Sequence, residues 1–483
     1  MKLKYILALV PCLLALPLAA QVNPEVDLLK QQLQAVKEAF EKAQAESRRQ
    51  IEALTKKIDA LSQNQSTSSN EQQQLRRLME APVTARPAPV LEKPWSPAQP
   101  ITVARAGSAY MNVSFDALVD FGWSTAADPS KKLQLGDHDP QQRGFSLRNA
   151  EIALDGAVDP YFKGFANIVF KLDNQNATDL ELEEVFLQST SLPGGLQLKA
   201  GQFFAAFGRQ NPQHPHSWAF VDSPLILNRA LGPDGLRNVG AQLSWLVPVP
   251  FYTEAFLGVF NGGGGTTFSF RNPGEDDGTG TNRFGGRATL GRGLRGPGDL
   301  LFVPRVVSSV DLTDEQTLLV GASGAFGPND TGAHSRTEIY GADLFWKWKP
   351  SNASEGFPFV SFQSEALYRR FGAGADPTAL PGPLPAESLG DWGFYSQLMW
   401  GFKPHWVAGL RGEYVTGTKG AFDAMDVFRG ERTRISPVLT WYPSEFSKIR
   451  LQYNYDHGQF IGDQHSIWLQ WEFMLGAHGA HKY

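Results

Sequence analysis

Cysteine occurs once in 483 residues, at Cys12, inside a segment that reads as an export signal. The processed chain would hold no thiol, which excludes disulfides and thiolate chemistry. Charge is sparse too: charged residues make up 19% of the chain and the net charge is −5, which points away from nucleic acid as a partner. Long apolar runs are missing beyond the N-terminus, and the mean hydropathy of −0.27 excludes a bundle of membrane helices. It does not exclude a membrane barrel, because residues facing an aqueous interior dilute the average. The G-x-S-x-G elbow of a serine hydrolase is absent, and the nine histidines lie mainly in loops and the tail, so no enzyme activity is expected and no cofactor is assigned.

What is present begins with residues 1–20. Lys2 and Lys4 form a positive start, Tyr5 to Leu16 an apolar stretch, and Leu18-Ala19-Ala20 a small-residue cleavage site. Pro11 before Cys12, and the apolar run continuing after it, disfavour a lipoprotein attachment site. Residues 24–62 then carry a heptad seam: Leu29, Leu33, Val36, Phe40, Ala43 and Ser47, resumed after a stutter by Ile51, Leu54, Ile58 and Leu61. The spacing predicts an N-terminal α-helical coiled coil about 50 Å long. Such a seam implies an oligomer, and the stalk offers a surface to a periplasmic partner. Residues 63–105 read as a linker, Gln/Ser-rich and then Pro-rich.

From residue 106 to 476 the texture changes to period two, ahead of a tail at 477–483. In "IRLQYNYDHG" (449–458), Ile449, Leu451, Tyr453 and Tyr455 alternate with Arg450, Gln452, Asn454 and Asp456. Strands are expected near 110–122, 143–156, 161–172, 180–189, 195–207, 238–247, 251–261, 299–310, 316–326, 336–348, 358–371, 392–402, 405–415, 431–442, 446–456 and 465–476. Many approach the roughly ten residues that cross a bilayer at a tilt. The connections alternate between short ones such as "SLPGG" and "FKP" and long ones at 123–142, 172–179, 208–237, 262–298, 327–335, 372–391, 416–430 and 457–464. A soluble sandwich has no reason to segregate loop lengths in this way. The pattern predicts an all-β fold: an antiparallel transmembrane barrel of about 16 strands in an outer membrane, with lipid as partner on its apolar face. Paired aromatics such as Trp346 with Trp348, Trp441 with Tyr442 and Trp468 with Trp471 are expected in interfacial girdles.

The third long loop, "GRQNPQHPHSWAFVDSPLILNRALGPDGLR" (208–237), is too apolar for a disordered segment. It is expected to fold inward and narrow the pore, with Arg209, His214, His216, Asp222, Arg229 and Arg237 as constriction candidates. The plainer alternative is an outer loop packed on its neighbours. Strand parity predicts Lys199, Lys347, Arg369, Arg411, Arg434 and Arg450 on the lumen wall, with Glu151, Glu184, Asp343, Glu365, Glu413 and Glu472 beside them. Both signs are represented, so parity alone assigns no ion preference.

The stretch "LEEVFLQSTSLPGGLQLKAGQFFAAFG" (182–208), the long loop after it and "GLRNVGAQLSW" (235–245) resemble the phosphate-selective porin O and P family, as does the order of signal, coiled stalk, linker and barrel. The resemblance spans most of 110–476. It implies a sixteen-stranded, homotrimeric channel passing small solutes or anions by passive diffusion, with arginines and lysines carrying phosphate. The chain departs from that pattern in having no lysine in 208–237.

Other motifs carry less. "GRGLRG" (291–296) is followed by Pro297-Gly298 and lacks the strand and helix of a dinucleotide site, and "NGGGG" (261–265) lacks the Lys-Ser/Thr of a phosphate loop. His214 and His216 would need a third ligand to hold zinc; read plainly they are exposed loop histidines, and no metal site is assigned. Two rival functions stand beside the porin: an anchor or tether with a plugged barrel, and a channel linked to metal-ion uptake.

Overall fold

The structure, a computed structural model, describes residues 100–173, 175, 177–423, 426 and 428–476. The signal, the coiled coil, nearly all of the linker and the tail lie outside the described residues.

Sixteen strands form the wall. The first eight are β1 (Ala109–Ser124), β2 (Gly144–Ala157), β3 (Phe162–Leu172), β4 (Thr178–Ser189), β5 (Leu196–Phe204), β6 (Arg237–Leu246), β7 (Tyr252–Asn261) and β8 (Leu300–Thr313). They are followed by β9 (Gln316–Pro328), β10 (Arg336–Trp348), β11 (Phe359–Ala373), β12 (Glu387–Lys403), β13 (Trp406–Gly417), β14 (Arg432–Ser444), β15 (Ser447–Gly458) and β16 (Gly462–Leu475). Each pairs antiparallel with the next. β16 returns to β1 in a register running from Phe115↔Leu475 to Ser124↔Ser466. The sheet is therefore a closed barrel without free edges.

The alternation of the sequence becomes the two faces of this wall. On β15, Lys448, Arg450, Gln452, Asn454 and Asp456 are buried inside, while Leu451 and Tyr453 are 45% and 40% exposed outside. On β13, Arg411 and Glu413 point inward and Leu410 is 52% exposed. The barrel is apolar outside and ionic inside, the reverse of a soluble protein and the arrangement a lipid-embedded wall requires.

Connections of different length lie at the two ends. One end carries 158–161, 190–195, 247–251, 314–315, 349–358, 404–405 and 445–446; the other carries 125–143, 173–177, 205–236, 262–299, 329–335, 374–386, 418–431 and 459–461. The last of these has three residues, where a loop over 457–464 was expected, because β15 and β16 stay paired as far as Gly458↔Gly462. β12 starts at Glu387 instead of 392, since Glu387 to Asp391 still find partners on β11. Ile101–Ala106, inside the expected linker, forms a hairpin arm on the start of β1.

Trp468 does not join an outer girdle with Trp471. It shares parity with Gln470 and Glu472 and is 1% exposed. Its room inside comes from Gly122 on β1, where a Cβ would stand 2.1 Å from the indole ring. Trp441 does face outward and stacks on Trp406.

Candidate functional site: the inward loop and the inner wall

Residues 205–236, joining β5 to β6, turn into the barrel. Their apolar side chains pack on one part of the inner wall: Phe207, Leu225, Ile226, Leu227 and Leu231 form a single buried cluster with Phe260, Leu301, Val303, Ala325, Ile339, Leu367 and Val415 from β7–β13. The helix α1 (Leu225–Ala230) is buried along its whole length. Hydrophobic burial thus draws the loop inward, although a barrel of this size would otherwise hold water.

A loop with little secondary structure must still satisfy its backbone polar groups once buried, and here the wall does so with charge. Wall carboxylates accept its N–H groups: Gln210 donates to Glu365 (2.7 Å) and Leu225, in the first turn of α1, to Glu413 (2.7 Å); Ser223 donates to Asp139 of loop 125–143 (2.9 Å), and Phe204, at the end of β5, to Glu184 (3.0 Å). Cations donate to its carbonyls: Arg450 to Trp218 and Phe220 at 2.6 and 2.8 Å, Arg411 to Asp222 at 2.8 Å, Arg369 to Arg229 at 2.8 Å, and Lys448 to His216. The wall ions predicted by parity are on the inner face, and most of them are occupied in holding this loop.

The six constriction candidates divide into three situations. Asp222 is buried between Arg411 and Arg434, and accepts further hydrogen bonds from Gln452 and Asn454, each at 2.7 Å. Arg229 and Arg237 are buried; Arg229 donates to the Gly430 carbonyl, and Arg237 pairs with Asp234 and Glu181. His214 and His216 stack on each other with ring centres 5.7 Å apart and face carboxylates of β1–β4. Arg209 rests on an aromatic face, 3.9 Å from the Phe345 ring centre, with its Nε donating to Gln363. On the wall, Lys199 lies over Phe186 and Phe203, and Lys347 near Phe359.

One interior residue breaks parity. The β3–β4 register passes from Asn167↔Glu184 to Ile168↔Leu182, so a bulge turns Glu183 inward together with Glu184. Two adjacent glutamates in an alternating strand were the available signal. Asp116, Asn167, Asp391, Lys448 and Asp456 also line the interior. Ion pairs along the wall are close: Arg305–Asp343 at 2.5 Å, Arg369–Asp391 at 2.6 Å, Lys448–Glu472 at 2.6 Å and Arg434–Asp456 at 2.8 Å.

The outer loops close over the inward loop from one side. A cavity of about 320 Å³ lies between α1 and these loops, lined among others by Arg229, Arg369, Arg429, Phe284, Phe371 and Phe422. In loop 125–143, His138 is buried; burial lowers its pKa, but hydrogen bonding to Asp234 and Glu183 outweighs this and raises it to about 10. In loop 374–386, burial would raise the Asp376 pKa, yet hydrogen bonds from the Ala288 and Thr378 N–H groups, the Thr378 hydroxyl and Arg283 hold it at about 2.

No protein-family model matches the chain. It is 30% identical over 358 residues to an uncharacterized protein of Aquifex aeolicus strain VF5, covering 71% of each chain. In fold it is similar to the outer membrane channel DcaP of Acinetobacter baumannii, with a TM-score of 0.50 at 11% identity over 76% of this chain and 98% of that one. An anion-selective porin from Comamonas acidovorans aligns with a TM-score of 0.47 at 8% identity over 76% of this chain and all of that one. With a closed sixteen-stranded barrel and this extent of shared sequence, the chain belongs to the same family as the Aquifex aeolicus protein.

Proposed function

We propose that this chain is a passive outer-membrane channel for small hydrophilic solutes, with a preference for anions set where the inward loop narrows the barrel. The observation that carries this reading is the uneven pairing of charge inside. Arg369, Arg411 and Arg434 are neutralised by carboxylates, whereas among the described residues no carboxylate stands within 4.0 Å of the side-chain nitrogens of Arg209 or Lys199. Both are only partly covered, so their positive potential reaches the remaining space. Interior cations of this kind favour anions over cations. Phosphate is the first anion to test, because guanidinium and ammonium groups bind it through charge-assisted hydrogen bonds.

The apolar exterior would meet lipid, the short connections the periplasm, and a homotrimer is the expected assembly. Single-channel recording in planar bilayers tests the function: stepwise conductance with an anion-selective reversal potential is expected. The dense bonding of loop 205–236 favours a second reading, a plugged barrel serving as an anchor. That reading predicts no conductance from protein whose barrel is folded.

A further inference from the structure

The inner surface of β1–β4 gathers buried carboxylates, and loop 205–236 brings histidines against them. Asp116, Glu151 and Glu183 are each fully buried. Neither oxygen of Asp116 accepts a hydrogen bond, an expensive condition for a buried carboxylate. Loop 205–236 delivers His216 to this place on a short turn, Pro215–Ser217. Its Nδ1 stands 3.4 Å from Asp116 Oδ2 and 3.3 Å from Glu151 Oε2. These separations exceed those of good charge-assisted hydrogen bonds. They match the edge of a tetrahedron whose metal–ligand bonds are about 2.0–2.2 Å, an edge of roughly 3.3–3.6 Å. All three donor atoms lie within 4.8 Å of one another.

We propose that Asp116, Glu151 and His216 bind a first-row divalent cation, zinc by the character of the donors, and that the ion fastens the inward loop to the acidic wall. One imidazole and two carboxylates suit zinc and leave a fourth position for water. The surroundings are those of a metal ligand set. Asn149 and Asn167 donate to the two oxygens of Glu151 at 2.8 and 3.1 Å and fix its orientation. Lys448 holds the His216 carbonyl and pairs with Glu472, steadying the backbone that carries the imidazole. His214, two residues earlier, is not a ligand: its nitrogens face Glu183 at 2.7 Å and Glu184 at 3.0 Å, which makes it their counter-ion. The ion would convert a loop held by burial and hydrogen bonds into one cross-linked to β1 and β2.

The test uses the full chain in detergent, stripped with EDTA and titrated with Zn²⁺ by calorimetry. One equivalent should bind, with affinity at least ~10-fold weaker in Asp116→Asn and in His216→Gln, as loss of a ligand or its support does. His457→Gln, on the exposed end of β15, should bind as wild type. Zinc K-edge absorption of the wild-type complex should show one imidazole with oxygen ligands. The proposal is overturned if the folded wild-type barrel takes up no stoichiometric zinc or if both variants keep wild-type affinity. Absence of imidazole scattering from the wild type also overturns it, and that result does not depend on any variant folding.

Discussion

The carboxylate of Asp222, carried by the inward loop, lies 3.1 Å from the guanidinium of Arg434 on β14. Arg411 shares the same carboxylate, and all three side chains are buried. Replacing Asp222 with alanine would leave buried arginines without this counter-ion, a change that typically costs about 3–5 kcal/mol. Asp222→Ala is therefore expected to lower the thermal unfolding midpoint in detergent and to release the loop, seen as larger and noisier single-channel currents. Asp222→Asn retains part of the hydrogen bonding and should fall between the two.

Gly208, early in the loop, has φ +60°, and a Cβ there would stand 2.1 Å from Glu365 Oε2. Gly208→Ala would add about 1–2 kcal/mol of left-handed strain and displace the carboxylate that accepts the Gln210 N–H. A lower unfolding midpoint is expected. Gly265→Ala, where the added atom meets nothing within 4 Å, should leave the midpoint unchanged.

The proposed anion preference rests on Arg209 and Lys199. Arg209→Gln and Lys199→Gln should each move the reversal potential in a salt gradient toward the unselective value, with the double change larger than either. Arg370→Gln, on the outer face at the β11–β10 pair, should leave it in place. An unchanged reversal potential in the double variant would sink this assignment.

The outer loops should loosen in acid. Asp376 has its pKa lowered to about 2 in the folded chain, from an ordinary value of 3.8. Its contribution to stability is therefore complete above the ordinary value and is lost as pH falls from there through about 2. Amide exchange in 275–288 and 374–386 should accelerate over that window. In Asp376→Asn, which cannot carry the charge that pairs with Arg283, exchange at neutral pH should already be raised.

The barrel was legible because a membrane wall imposes period two on each strand, and the lengths of the connections gave its two ends. Parity placed Arg411, Arg434, Arg450, Glu365 and Glu413 on the inner face, since a strand in register offers only two directions. It failed for Glu183, where a bulge breaks the count. Proximity in sequence, not parity, misled for Trp468: pairing it with Trp471 put it in the outer girdle, although the two differ in parity.

Which interior charges are neutralised was not legible. Arg229 and Arg209 lie on the same loop, yet one is buried against backbone carbonyls and the other rests, half-buried, on Phe345. The pairing of Asp222 with Arg434 spans 212 positions of the chain, and the meeting of His216 with Asp116 spans 100. The strands and their two faces follow from local periodicity and composition, whereas the inward course of the apolar loop was an expectation that stood beside packing on neighbouring loops. Which wall ion meets which loop atom depends on closure of the barrel, because ring closure sets the distance between strands that are remote in the chain.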